Sequence, residues 1–132
     1  MKLMLDTQAL LWAVARPELL SEQARQLLAD EDNEIFFSPV SLWEVAIKNS
    51  LNRPSFQVDS KILQAQLLAR DYHEIAITGH HATAVSDLPL LHKDPFDRLL
   101  LAQAKTEGIS LITSDAILST YPAPVILIRK SS

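Results

Sequence analysis

The sequence predicts an α/β fold, a three-layer α/β/α sandwich around a short, mainly parallel five-stranded sheet. Three observations carry that expectation. Short apolar runs alternate with helical patterns along the chain. The runs lack a clean polar face, as in strands covered on both sides. Helix-start and helix-stop residues, such as Ser38-Pro39, Asp94-Pro95 and Gly108, fall between them.

Lys2 to Leu5 reads as the first strand and stops at Asp6. Thr7 to Ala15 follows as a helix with Leu10, Leu11 and Val14 on one side, broken by Arg16-Pro17-Glu18. Ser21 is placed to cap a second helix, SEQARQLLADE, whose stripe is Ala24, Leu27 and Leu28. After a turn at Asp32-Asn33, Glu34 to Phe37 is strand two. Ser38-Pro39 opens a third helix, expected to end at Asn52-Arg53-Pro54. A fourth opens around Ser60, with Ile62, Leu63 and Leu67 on one face. Glu74 to Ile77 is the expected third strand, and His80 to Asp87 a short helix with His80 and His81 on its solvated start. Leu88-Pro89 closes it.

The helix from Pro95 is marked most redundantly. Asp94 is a good N-cap, Pro95 fits the first position and Asp97 falls in the first turn. Beyond Arg98 it is apolar on nearly every side, which predicts burial, and Gly108 ends it. Ser110 to Ile112 is strand four, Ala116 to Ser119 a helical turn, and Val125 to Ile128 strand five.

The chain has 132 residues, 48% hydrophobic and 21% charged, which suits one globular domain over residues 1–132. With no cysteine, a disulfide scaffold and a Cys-based zinc site are excluded, and a reducing compartment fits. MKLMLDTQ lacks the apolar core of a signal peptide, and no apolar run reaches the ~20 residues of a membrane span. A cytoplasmic protein without membrane contact is therefore expected. A net charge of −4 argues against broad electrostatic binding of nucleic acid, although a metal-dependent nuclease also concentrates carboxylates in its site. There is no GxGxxG and no Walker A loop.

In an open parallel sheet, ligands bind at the carboxyl ends of the strands. Asp6 follows strand one and Asp115 follows strand four. Asp97 starts the helix leading into strand four. Glu44 lies roughly 9 Å along the helix after strand two, at ~1.5 Å per residue. All four can reach one edge of the sheet. Each also has an ordinary reading: an aspartate after a strand is often a turn former or cap, and Glu44 can pair with Lys48 at i,i+4 for about 0.3 kcal/mol. Together they would repel unless a cation relieved them, and Mg²⁺ or Mn²⁺ prefers such oxygen ligands. Thr7, Ser41 and Thr113 are close enough in sequence to hydrogen-bond these carboxylates. The four histidines, His73, His80, His81 and His92, are read as lying off the strand ends, which makes zinc less suitable.

Four pieces, MKLMLDTQALLW, SPVSLWEVAIK, LPLLHKDPFDRLLLAQA and LITSDAIL, resemble in order and spacing the PIN-domain ribonucleases, and within them the VapC-type toxins of bacterial toxin–antitoxin pairs. The resemblance implies a PIN fold and an acidic quartet of Asp6, Glu44, Asp97 and Asp115 binding Mg²⁺ or Mn²⁺. Asp6 and Asp97 would be the firmest ligands, with Glu44 and Asp115 completing the site or acting through water, and Asp94 a frequent extra acid. It also implies RNA as substrate, a homodimer, and a small antitoxin as partner. One departure is Gln8, where relatives often carry His. Arg98, Lys48, Arg53 and Lys93 are candidate phosphate contacts. The alternative is a catalytically silent PIN module that binds RNA or a protein, against which the intact quartet speaks. A receiver-like phosphoacceptor would need paired acids near strand one and a late lysine, which this chain lacks.

Overall fold

The computed structural model describes residues 1–51 and 58–129. Five parallel strands, β1 (Lys2–Leu5), β2 (Glu34–Phe37), β3 (His73–Glu74), β4 (Ser110–Thr113) and β5 (Val125–Leu127), form a sheet in the order β3-β2-β1-β4-β5. Among the described residues, six α-helices surround it: α1 (Thr7–Ala15), α2 (Glu22–Ala29), α3 (Pro39–Ser50), α4 (Ser60–Ala69), α5 (Gly79–Ala84) and α6 (Pro95–Glu107). The three-layer parallel sandwich is the expected one.

Side chains alternate across each strand, and here both faces are apolar. Leu3, Leu5, Ile35, Phe37 and Ile112 enter one core with Ala9 and Leu10 of α1 and Leu63 and Leu67 of α4. Met4 and Leu111 enter the other with Leu100, Leu101 and Ala104 of α6. Helix α3 serves both, through Val45 and Val40.

The helix starts follow their capping residues. Ser21, Ser38, Asp59 and Asp94 each accept backbone N–H groups at a helix N-terminus. Helix α2 ends at Ala29, two residues short of the expected Glu31, with Asp30 as its C-cap. Helix α6 ends on Gly108 at φ 67°, a left-handed conformation that only glycine adopts without strain. Residues 52–57, including the expected stop at Asn52-Arg53-Pro54, lie outside the described residues.

Three expectations are corrected. Strand β3 is His73–Glu74, not Glu74 to Ile77. The Gln103 side-chain amide instead donates to the Ile75 and Ala76 carbonyls at 3.0 and 3.3 Å, tying the segment to α6. His81 is buried, not solvated. Its Nδ1 accepts the Thr78 N–H at 3.0 Å, so Nε2 carries the proton and donates to Glu107 at 2.6 Å, clamping α5 to α6. The helical turn after Asp115 is a 3₁₀ turn at Leu118–Thr120. Among the described residues, no helix is long and apolar enough to cross a membrane.

Candidate metal centre

Strand order reverses between β1 and β4: the chain builds outward from β1 through β2 to β3, then returns to the other side. Ligands bind at the carboxyl ends of strands beside such a reversal. A cleft of about 450 Å³ opens there, lined by Asp6, Thr7, Glu44, Lys48, Asp94, Asp97 and Asp115, among others. The four predicted acids therefore share one cleft.

Each carboxylate has its own mount. Asp6 is the N-cap of α1: Oδ1 accepts the Ala9 N–H at 2.8 Å and Oδ2 accepts the Thr113 hydroxyl at 2.5 Å. That hydroxyl also accepts the Asp115 N–H at 3.0 Å, so one threonine sets the ends of β1 and β4 against each other. Thr113 extends β4 one residue past the expected end at Ile112. Glu44 is only 5% exposed. Its Oε1 accepts the Thr7 hydroxyl at 2.8 Å and its Oε2 meets Lys48 Nζ at 2.7 Å. The ion pair read from the i,i+4 spacing is real, and it sits inside the cleft. Ser41 Oγ lies 3.0 Å from the Thr7 hydroxyl and completes the group. Asp94 Oδ1 accepts the Phe96 and Asp97 N–H groups at 2.8 and 3.2 Å, so Asp94 both caps α6 and lines the cleft.

His92 belongs to this cluster, against the expectation that the histidines stay away from it. Its Nε2 lies 2.7 Å from Asp115 Oδ2 and 3.4 Å from Asp97 Oδ2. One ligand-type atom each of His92, Asp97 and Asp115 falls within 4.8 Å of the others. The tautomer decides its role. Nδ1 accepts the Asp94 N–H at 3.0 Å, so Nε2 carries the proton and offers no lone pair to a cation. His92 is a donor that holds Asp115. It is held in turn by Tyr121, whose hydroxyl oxygen accepts the His92 and Leu91 N–H groups at 2.8 and 3.2 Å. The sequence signal for it was its place two residues before Asp94. Arg98 is also corrected. Its Nη2 donates to the Val85 and Leu88 carbonyls at 3.2 and 3.5 Å, so it braces α6, and it is not among the residues that line the cleft. Lys93 is exposed, and Arg53 lies outside the described residues.

The electrostatics record the crowding. Burial, then the charges of Glu44 and Asp115, push the Asp6 carboxyl up to about 6 although Thr113 and Ala9 pull it down. Burial, then the charges of Asp94, Asp6 and Glu44, push Asp97 up to about 7 against the pull of His92. Burial raises Asp115 too, but the donors His92 and Ile117 outweigh it and hold its carboxyl below the usual range. The cleft thus keeps oxygen ligands that resist ionising together. A divalent cation with a preference for carboxylate oxygen fits that donor set.

The profile of the PIN domain family matches residues 3–123. The chain belongs to the PIN domain family. It is 32% identical over 126 residues to Ribonuclease VapC22 of Mycobacterium tuberculosis, covering 92% of this chain and 95% of that one. Two crystal structures share the PIN fold with it. One is VapBC2 from Rickettsia felis bound to a DNA fragment from the VapBC2 promoter, with TM-score 0.71 and 20% identity, covering 97% of this chain and 99% of that one. The other is DNA-bound VapBC from Salmonella typhimurium, with TM-score 0.68 and 14% identity, covering 96% and 97%. The PIN fold and the family resemblance read from the four sequence pieces are both borne out.

Proposed function

We infer that this PIN protein is a divalent-metal-dependent endoribonuclease, the toxin of a toxin–antitoxin pair, built as a single domain over residues 1–132. The observation that carries the reading is the meeting of Asp6, Glu44, Asp97 and Asp115 in one cleft at the switch point of the sheet. A relative named as a ribonuclease and structural neighbours solved as VapBC complexes support it. A small cognate antitoxin and a second copy of the chain are the proposed protein partners.

Asp6 and Asp97 are the proposed principal ligands of Mg²⁺ or Mn²⁺, with Glu44 and Asp115 completing the site or acting through water. The bound ion supplies a lowered pKa for water and stabilises charge on the phosphate. The chain supplies the positioning. Thr113 and the Ala9 N–H fix both oxygens of Asp6, and Thr7 and Lys48 fix those of Glu44. His92 holds Asp115. Buried α6 keeps Asp97 facing Asp6 across the cleft. In the reaction a water oxygen bonds to phosphorus as the bond to the 3′-oxygen breaks, and that oxygen takes up a proton. The products are a 5′-phosphate and a 3′-hydroxyl. A silent binding module would have no use for Asp6 and Asp97 carboxyls that burial and neighbouring acids push up.

The test is to incubate the purified protein with a panel of structured RNAs in Mn²⁺ or in EDTA and to identify the product ends by mass spectrometry. Cleavage in Mn²⁺ alone, with 5′-phosphate and 3′-hydroxyl ends, is the expected result. A 2′,3′-cyclic phosphate would show attack by the ribose and overturn the hydrolytic reading.

A further inference from the structure

Beyond β4 the chain leaves the cleft at Asp115 and runs through the 3₁₀ turn Leu118–Thr120 to Tyr121. Both ends of this segment are fixed. Asp115 Oδ1 accepts the Ile117 N–H at 2.9 Å, and the Asp115 carbonyl accepts the Leu118 N–H at 3.2 Å. Tyr121 is 4% exposed, and its ring packs into the core beneath α6 with Leu88, Leu100 and Leu118.

The two ends grip one residue. Asp115 Oδ2 lies 2.7 Å from His92 Nε2, and the Tyr121 hydroxyl oxygen accepts the His92 N–H at 2.8 Å. The same oxygen accepts the Leu91 N–H at 3.2 Å. Loop backbone shifts more readily than helix or strand. Leu90 and Leu91 are half-exposed or more, so this loop has little packing of its own just before His92. A hydroxyl on a buried ring ties its backbone to the core instead. The tie matters because His92 Nε2 also lies 3.4 Å from Asp97 Oδ2, between two acids of the cleft. Groups that orient a ligand carboxylate tune the affinity of its metal. A ring that served the core alone would do so as phenylalanine.

We propose that Tyr121 is a positioning residue of the metal centre. Its hydroxyl holds the backbone of His92, which sets Nε2 against Asp115 and so fixes where that carboxylate stands beside Asp97. Tyr121 itself touches neither cation nor RNA. This rests on the metal-centre reading above and adds a residue to that site.

The experiment is a double-mutant cycle read by calorimetric titration with Mn²⁺. Tyr121→Phe keeps the ring and removes the hydroxyl. His92→Asn removes Nε2 and leaves an acceptor for the Asp94 N–H. Each alone is expected to weaken Mn²⁺ binding about tenfold. The double variant should bind within about twofold of His92→Asn, because Tyr121 acts through His92. In metal-free wild type, hydrogen exchange followed by NMR should find the His92 N–H protected, and Tyr121→Phe should remove the protection while the circular dichroism stays unchanged. The proposal is overturned if Tyr121→Phe binds Mn²⁺ as wild type does, or if the two losses multiply to about a hundredfold, which gives Tyr121 a separate structural role. It is equally overturned if the wild-type His92 N–H exchanges like an exposed loop amide, or if Tyr121→Phe no longer folds, since the hydroxyl would then hold the fold and not the site. If wild type binds Mn²⁺ and any of these occurs, positioning alone has failed. If wild type binds no Mn²⁺, the metal-centre reading fails with it.

Discussion

Asp97→Asn is expected to lower RNA cleavage about a thousandfold while the protein stays folded. Asparagine keeps the shape of the side chain and removes the charge that a cation needs. The backbone beneath it has little room to shift, because Leu100, Leu101, Ala102, Gln103 and Ala104 are all buried. The far-ultraviolet circular dichroism should therefore match wild type. Asp94→Ser makes the informative contrast. Asp94 caps α6 through one oxygen, and serine caps nearly as well. That variant is expected to lose no more than about tenfold in rate, because the cap survives and the quartet is untouched. A loss as large as that of Asp97→Asn would make Asp94 a member of the site. Single-turnover cleavage of one RNA by the three proteins checks both statements.

Raising the pH is expected to destabilise the metal-free protein, and Mn²⁺ to reverse the effect. Asp6 and Asp97 have folded-state pKa values of about 6 and about 7, against 3.8 when unperturbed. Between these limits the folded state holds more protons than the unfolded chain, so stability falls as pH rises. The contribution is fully present below about pH 4 and is lost as pH passes through 6 and 7. For Asp6, which is 4% exposed, the loss is on the order of 3 kcal/mol, and Asp97 adds to it in the same direction. In EDTA the melting temperature should drop between pH 5 and pH 8. Added Mn²⁺ should raise it more at pH 8, where both carboxylates are ready to bind, than at pH 5. A melting temperature in EDTA that rises over this interval would contradict the assignment.

The sequence showed the parts of this molecule whose causes are local. Strands β1 and β2 and helices α1 and α6 have the expected bounds because capping residues and apolar runs specify them within a few positions. The acids were legible because the carboxyl ends of β1 and β4 follow from the strand pattern, and the topology then makes them neighbours. What escaped depends on partners far along the chain. Strand β3 stops early because Gln103, 28 residues from Ile75, takes up the Ile75 carbonyl. His81 is buried through Glu107, 26 residues away, and His92 enters the cleft through Asp115, 23 residues away. Arg98 read as a phosphate contact because nothing in its own helix shows that the Val85 and Leu88 carbonyls face it.

One acidic cleft is proposed to hold a divalent cation and to cut RNA with it. Mn²⁺ occupancy, followed by calorimetric titration, and the RNA cleavage rate should be measured over the same range of Mn²⁺ concentration. The two curves are expected to rise together, and both to collapse in EDTA and in Asp97→Asn. Cleavage undiminished in EDTA, or a cleft saturated with Mn²⁺ that leaves every RNA intact, would contradict that proposal.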